Sequence, residues 1–415
     1  MHGKDTTNTT FSQLFEPVFH SFFRRRLKVL EVDKYVKKLT TLKFVILMAF
    51  AQFQQLSSLR EISNLFHNEN FKGEMALCSI SFSQLSRRLR TVPLEIIKDL
   101  FGEMVRQVGI EKGFKHLQQN IGRLHLIDST TISLSLTRYR WADFRKTKAG
   151  IKIHLRLRVF EKGMLPDAAI ITPASRHDRT QMDELVVEEE DALNVFDRGY
   201  VDYDKFDRYC ENGIRFVTRL KSNALAEVLE ERPVFPGSQV KKDSIVRLGT
   251  KGLNQMEHPL RRLEAEDTEG NQVIILTNDF YLSADELSDI YRCRWQIELF
   301  FKWLKQHLEV KHFYGQSEQA VENQIYLALI MFCLMLLVQL KTDFKGNLLV
   351  MKRLLDTCLF EPFFSFVEKL RRPPQRASRG RPRVDHEKVF QFTLRQVIED
   401  EADHLDDLSY DPLFL

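Results

Sequence analysis

Two hydrophobic rhythms divide the chain. In 11–120 the apolar residues recur at helical spacing. FVILMAFAQF (44–53), SSLREISNLF (57–66) and VPLEIIKDLFGEMVRQVG (92–109) each read as a helix. After residue 120 the pattern changes. RLHLIDST (123–130) reads as a short apolar strand that ends in Asp128, and IKIHLRLRV (151–159) alternates apolar and charged residues as a half-buried strand does. LPDAAIIT (165–172) predicts a third strand. ALNVFDRGY (192–200) predicts a fourth, with Asp197 at its carboxyl end. Between them Asp178 reads as the N-cap of a helix starting near Thr180. A helix over 203–212 and a strand, IRFVTRL (214–220), follow.

This order is that of a mixed α/β domain. Over 222–278 the short runs SIVRLG, RRLEAED and QVIILT are separated by turn residues and predict a β-rich insertion. Ser283 opens a capping box with Glu286, and the helix it starts can run without Gly or Pro to about residue 309. The apolar run 325–338 falls short of the ~20 residues that a membrane span needs, so it reads as a buried core helix.

Composition narrows the classes. A chain of 415 residues with 43% hydrophobic positions can bury more than one core. Lys and Arg number 61 against 57 Asp and Glu, so the net charge of +4 says little and clustering of the basic residues matters more. The five cysteines form no CxxC pair, which argues against a disulfide framework or a Cys-rich zinc site. The polar N-terminus has no signal-peptide core, and a cytoplasmic, nucleoid-associated protein without a membrane is expected.

Three basic clusters stand out, the first only as a basic patch and the other two as candidates for DNA contact. RRRLK spans 24–28. SFSQLSRRL (81–89) could be a recognition helix presenting Ser83, Gln84, Arg87 and Arg88, or an ordinary solvated helix face. Arg379, Arg381 and Arg383 lie in SRGRPR, which resembles the core of an AT-hook, an extended segment suited to a narrow minor groove; the alternative is a basic linker.

The sharpest candidate chemistry lies after Ser283. Tyr291, Arg294, Glu298 and Lys305 stand at offsets of three, seven and fourteen. At ~100° per residue these return to within about 60° of one another, so four functional side chains share one stripe, and Lys302 joins them. Such a stripe is commonly a solvated face of i,i+4 ion pairs. Here its neighbours Trp295, Ile297, Leu299, Phe300 and Phe301 are bulky and apolar, which places the single acid in a partly buried, basic setting.

YRCRWQIELFFKWLK fits the spacing Tyr-x2-Arg-x3-Glu-x6-Lys, and two acids precede it in LIDSTT and VFDRGY. The chain therefore resembles the insertion-sequence transposases of the Asp-Asp-Glu type with a Tyr-Arg-Glu-Lys signature, the insertion sequence 4 family. The resemblance covers roughly 120–340. It implies a ribonuclease-H-like catalytic core with a β-rich insertion and an all-helical N-terminal DNA-binding domain. The expected domains are 1–120 (DNA binding), 121–221 (first part of the core), 222–280 (insertion), 281–345 (core helices with the signature) and 346–415 (helical and basic tail).

The resemblance further implies that Asp128, Asp197 and Glu298 hold two Mg²⁺ ions, with Mn²⁺ as a substitute, for phosphodiester cleavage and strand transfer. Carboxylate oxygens suit such an ion. Two metals ~3.5–4 Å apart can clamp the attacking and leaving oxygens. Tyr291, Arg294 and Lys305 are assigned by resemblance to phosphates of the element's end. Lys302 and Arg198 are further candidates for the same contact. Partners would be the terminal inverted repeats, target DNA and a second copy of the chain in the synapsed complex. The rival readings are a metal-dependent nuclease without strand transfer and a silent, transposon-derived DNA-binding protein. His125, His154 and His177 read as core or supporting residues rather than ligands. No Gly-rich nucleotide loop occurs, so ATP dependence is not expected.

Overall fold

The computed structural model describes residues 8–112, 122–145, 148–160, 163–221, 224–266 and 272–372. Two compact units emerge: 114–301, and a second built from 1–113 with 302–415.

The first unit is organised by one sheet. Its strands are β1 (Arg123–Leu134), β2 (Asp143–Arg145), β3 (Lys148–Phe160), β4 (Gly163–Pro173) and β5 (Ala192–Phe196). They continue with β6 (Arg215–Leu220), β7 (Ala226–Arg232), β8 (Val240–Leu248), β9 (Leu260–Glu266) and β10 (Gln272–Thr277). The order is β2-β3-β1-β5-β6-β10-β9-β8-β7, and off this path β4 also pairs with β3. Only β1 with β5 and β5 with β6 pair in parallel. All five residues of β5 are buried, as a central parallel strand covered on both faces requires. The helix Tyr203–Glu211 makes the crossover from β5 to β6. It stacks Phe206 on Phe216 at 4.6 Å, in a core that also holds Phe196 and Ile274.

Three expectations are corrected in this unit. β1 does not end at Asp128 but runs six residues further, because its antiparallel pairing with β3 continues to Leu134. The segment after 222 is not a separate β-rich body: β10 pairs with β6, so β7 to β10 extend the same sheet, and β7 was not anticipated. The long helix from Ser283 is two helices, Ala284–Cys293 and Trp295–His307, parted at Arg294. The Ser283–Glu286 capping box that starts the first of them is present.

The second unit is helical. Thr41–Phe53, Leu94–Lys112 and Glu318–Lys341 are its main helices. Glu318–Lys341 is long and apolar enough to cross a membrane, yet 94% of its most apolar window is buried inside the protein. Its amide donors are used internally: the Gln324 amide donates to Glu309 O at 2.9 Å and His312 O at 2.8 Å, and that of Asn323 to Val92 O at 3.0 Å. A buried core helix is what 325–338 led us to expect. Residues 302–345, expected to belong with the catalytic segment, instead pack in the unit that contains the N-terminal helices.

Candidate active site

The parallel register of β1 and β5 ends at the pair Ile127↔Phe196. The next residue of each strand is therefore Asp128 and Asp197. Beyond its last β5 partner, Asp128 no longer packs under a neighbouring strand on that side. Asp197 leads into the short turn Arg198–Tyr200. The backbone N–H of Ser129 donates to Asp128 Oδ1 at 2.7 Å and fixes that carboxylate.

The third element arrives from the helix pair. At the break, Arg294 N–H bonds Tyr291 O and Ile297 N–H bonds Arg294 O, both at 3.1 Å, an i→i−3 tightening without Gly or Pro. Arg294 Nη1 then lies 2.9 Å from Asp128 Oδ2 and 2.7 Å from Glu298 Oε1. Tyr291 Oη stands 3.5 Å from Asp197 Oδ1. Tyr291, Arg294 and Glu298 thus meet the two upstream acids, with Arg294 bridging two of the three carboxylates. Tyr291 and Trp295 flank the guanidinium, each ring centre 5.9 Å away.

Charge and burial are opposed here. Burial pushes the Asp128 carboxyl up to about 7, against the pull of Arg294 and with further upward pressure from Glu298 and Asp197. Burial also raises Glu298, again against Arg294, and lifts Tyr291 to about 12. Burial alone would lower Arg294, but Glu298 and Asp128 outweigh it and hold the guanidinium firmly protonated. The carboxylates are arranged about this cation: among the described residues no group of three or more His, Cys, Asp or Glu is clustered to hold a metal ion as it stands.

Asp178 is not an N-cap. It is the first residue of the short turn Asp178–Gln181, capped by His177, and its carboxylate faces the site. Asp178 Oδ1 accepts from the Ser129 hydroxyl at 2.6 Å and lies 3.2 Å from Lys152 Nζ and 3.4 Å from His154 Nδ1. Ser129 and His154 are register partners on β1 and β3. The charged face of β3, a strand that its alternation marks as half-buried, is largely covered in the structure. Arg156, for example, donates to Asp167 at 2.7 Å and to Leu185 O at 2.8 Å. Alternation located that face and could not say what covers it. Tyr200, 1% exposed, was also missed; Asp128, Asp178 and Asp197 all act on its hydroxyl, which burial already holds far from ionisation.

The remaining candidates are distributed as follows. Arg198 is exposed beside Asp197. Lys302 and Lys305 are half-buried on Trp295–His307 and belong to the helical unit. Arg87 is exposed on the helix Phe82–Thr91, whereas Arg88, expected to face DNA, is buried. Its guanidinium pairs with Asp33 and donates to the Thr41 hydroxyl at 2.7 Å, because leucines on either side turn that part of the helix inward. Gln84 is held in a capping box with Ser81. His125 and His154 are core residues that burial pushes down to about 3 and about 4; His177 is exposed. Arg379, Arg381 and Arg383 lie outside the described residues.

A family model described as a transposase DDE domain matches residues 119–334, and a domain of unknown function matches 6–72. A protein of Sinorhizobium fredii described as a transposase is 32% identical over 307 residues, 72% of this chain and 83% of that one. An insertion-sequence transposase of Geobacillus stearothermophilus is 28% identical, over 68% of this chain and 74% of its own. A solved piggyBac transposase synaptic complex with hairpin DNA has a TM-score of 0.44 and 10% identity, over 89% of this chain and 82% of that one.

Proposed function

The chain belongs to the DDE-domain transposases of bacterial insertion sequences, and from that premise we propose that it cuts DNA at the ends of its own element and joins them to target DNA. The enzyme is a DDE-type DNA transposase. The triad is Asp128, Asp197 and Glu298, within a core of the ribonuclease-H-like kind. The observation that carries this reading is the bridge of Arg294 to both Asp128 and Glu298.

A guanidinium stands in for a cation at a site whose donors are carboxylate oxygens, the donor set that Mg²⁺ or Mn²⁺ requires. Asp128, Asp197 and Glu298 would hold the metal. When bound, a pair of such ions supplies Lewis acidity and an activated oxygen nucleophile. The protein's own residues do the rest. Ser129 N–H orients Asp128. Tyr291 and Arg294, already at the acids, offer a hydroxyl and a guanidinium to the phosphate of the element's end. Arg198, exposed beside Asp197, is suited to a neighbouring phosphate. Synapsis of two ends calls for a second copy of the chain.

The test is a plasmid carrying both element ends, incubated with Mg²⁺ and wild type or Glu298→Gln. Excision and end joining by wild type alone is expected. Nicking without joining would replace the transfer step by simple nuclease action, and equal cutting by the variant would remove Glu298 from the triad.

A further inference from the structure

We infer that Asp178 is a positioning residue of the catalytic centre: through Ser129 it keeps the Asp128 carboxylate turned toward the place a divalent cation would take. This rests on the reading of Asp128 as a metal ligand, and it gives Asp178 a task different from that of the triad.

The two oxygens of Asp128 are divided. Oδ1 accepts the backbone N–H of Ser129 at 2.7 Å, and Oδ2 meets the Arg294 guanidinium at 2.9 Å. Which oxygen faces the cation therefore depends on where that N–H stands. At this point β1 has outrun β5, whose last paired residue is Phe196 opposite Ile127. β5 no longer steadies Ser129. The serine hydroxyl supplies the anchor instead, donating to Asp178 Oδ1 at 2.6 Å.

Asp178 is held from several sides. β3 brings Lys152 Nζ to 3.2 Å and His154 Nδ1 to 3.4 Å of the same oxygen. His154 is fully buried, and its Nε2 stands 3.0 Å from the Thr172 hydroxyl, which fixes the ring. Lys152 also donates to Arg176 O at 3.1 Å, two residues before Asp178. The other oxygen, Oδ2, lies against Gly199, where a Cβ would stand 3.6 Å from it. Asp178 thus also backs the turn that follows Asp197. Tyr200, 1% exposed, packs between these groups, its hydroxyl under the influence of Ser129, Asp128, Asp178 and Asp197.

A ligand role fits Asp178 less well. Successive side chains leave a strand on opposite faces, so Ser129 points away from Asp128, and Asp178 meets it there. Its Oδ1 already faces a hydroxyl, an ammonium and an imidazole. An acid engaged in this way orients a ligand, and such outer partners are worth about 10–100-fold in metal affinity.

The experiment is Mn²⁺ binding to the full-length chain without DNA, read from the electron paramagnetic resonance of free Mn²⁺. Wild type is compared with Asp128→Asn, Asp178→Ala, Asp178→Asn, Ser129→Ala and the double variant Ser129→Ala, Asp178→Ala. We expect Asp178→Ala and Ser129→Ala each to bind about tenfold more weakly. The double variant should be no weaker than either, because both changes remove one hydrogen bond. Asp178→Asn, whose amide oxygen still accepts from Ser129, should recover most of the wild-type affinity. Cutting of the end-bearing plasmid by Asp178→Ala should return at raised Mg²⁺, a shift in metal requirement that misfolding would not produce.

Wild-type Mn²⁺ affinity in Asp178→Ala and Ser129→Ala, beside a loss in Asp128→Asn, would overturn this inference and leave the triad standing. Losses that add in the double variant, or Asp178→Asn as weak as Asp178→Ala, would overturn it by moving the effect to charge or folding. Equal binding by wild type and Asp128→Asn would remove the ligand itself, and both readings would fall together.

Discussion

The Arg294 guanidinium reaches the Glu298 carboxylate at 2.7 Å, one helical turn on, and through the same nitrogen reaches Asp128 at 2.9 Å. Spacing alone would call the first contact a surface ion pair worth a few tenths of a kcal/mol. The second contact changes its meaning. Arg294 neutralises charges from two elements that are 170 residues apart in the chain, in side chains that are 14–26% exposed.

Removing that cation should act on stability and metal affinity in opposite directions. Arg294→Ala leaves Asp128 and Glu298 facing each other, and the metal-free protein should lose about 3 kcal/mol, as expected for a broken buried pair. Added Mg²⁺ should then raise its melting temperature by more than it raises that of wild type, since the metal meets no resident competitor. Thermal scans with and without Mg²⁺ check this. An equal shift in both proteins would mean that the guanidinium and the metal do not share a place.

Asp178 offers a second test. It receives the Ser129 hydroxyl and faces Lys152, so Asp178→Ala removes the acceptor of the first and the acidic partner of the second, which keeps only Arg176 O at 3.1 Å. We expect a loss of about 1–3 kcal/mol in urea unfolding. Asp178→Asn should lose less, because its amide oxygen still accepts from Ser129. Identical midpoints for the two variants would show that the hydrogen bond carries none of the effect.

Adjacent arginines should behave differently. Arg88→Ala removes a buried partner of Asp33 and should destabilise the helical unit by about 3 kcal/mol. Arg87→Ala, on the exposed side of the same helix, should stay within about 0.5 kcal/mol of wild type. Chemical denaturation distinguishes them, and similar losses would contradict the burial of Arg88.

Glu322 gives the helical unit a pH dependence. Burial pushes its carboxyl up to about 7 from 4.5, partly countered by Lys98 and reinforced by Glu318. The folded value lies above the unfolded one, so this contribution is full below about pH 4.5 and is lost as pH rises through about 7. Melting temperatures should therefore decline between pH 5 and pH 8 by more in wild type than in Glu322→Gln. Parallel curves would assign the decline elsewhere.

Much of this site was legible in the sequence, for local reasons. Asp128 and Asp197 stand out because each follows an apolar run that can only be a strand, and the capping box at Ser283 announces the helix that brings Arg294 and Glu298. What escaped depends on contacts distant in the chain. The helix break at Arg294 has no Gly or Pro to mark it. Asp178 looks like any helix cap until β3 supplies Lys152 and His154. Arg88 differs from Arg87 only by the face it occupies, and Asp33, its partner, lies 55 residues away. That β10 returns to β6, and so merges the insertion with the main sheet, is a pairing choice that no local pattern encodes.

The helical unit is assembled from both ends of the chain, and that sets an order of events during synthesis. The helix Thr41–Phe53 is almost wholly buried, and its Gln52 amide donates to Gln324 O at 2.9 Å on Glu318–Lys341, which the ribosome makes more than 250 residues later. At 5–20 residues per second, that interval lasts on the order of 10–50 s. Throughout it, Gln52 lacks its partner on the late helix, while 114–301 already holds every strand of its sheet. A nascent chain of this protein should therefore hold a finished catalytic sheet beside an unfinished apolar helix. Its yield in a cell will depend on whatever shields that helix until the last quarter of the chain emerges.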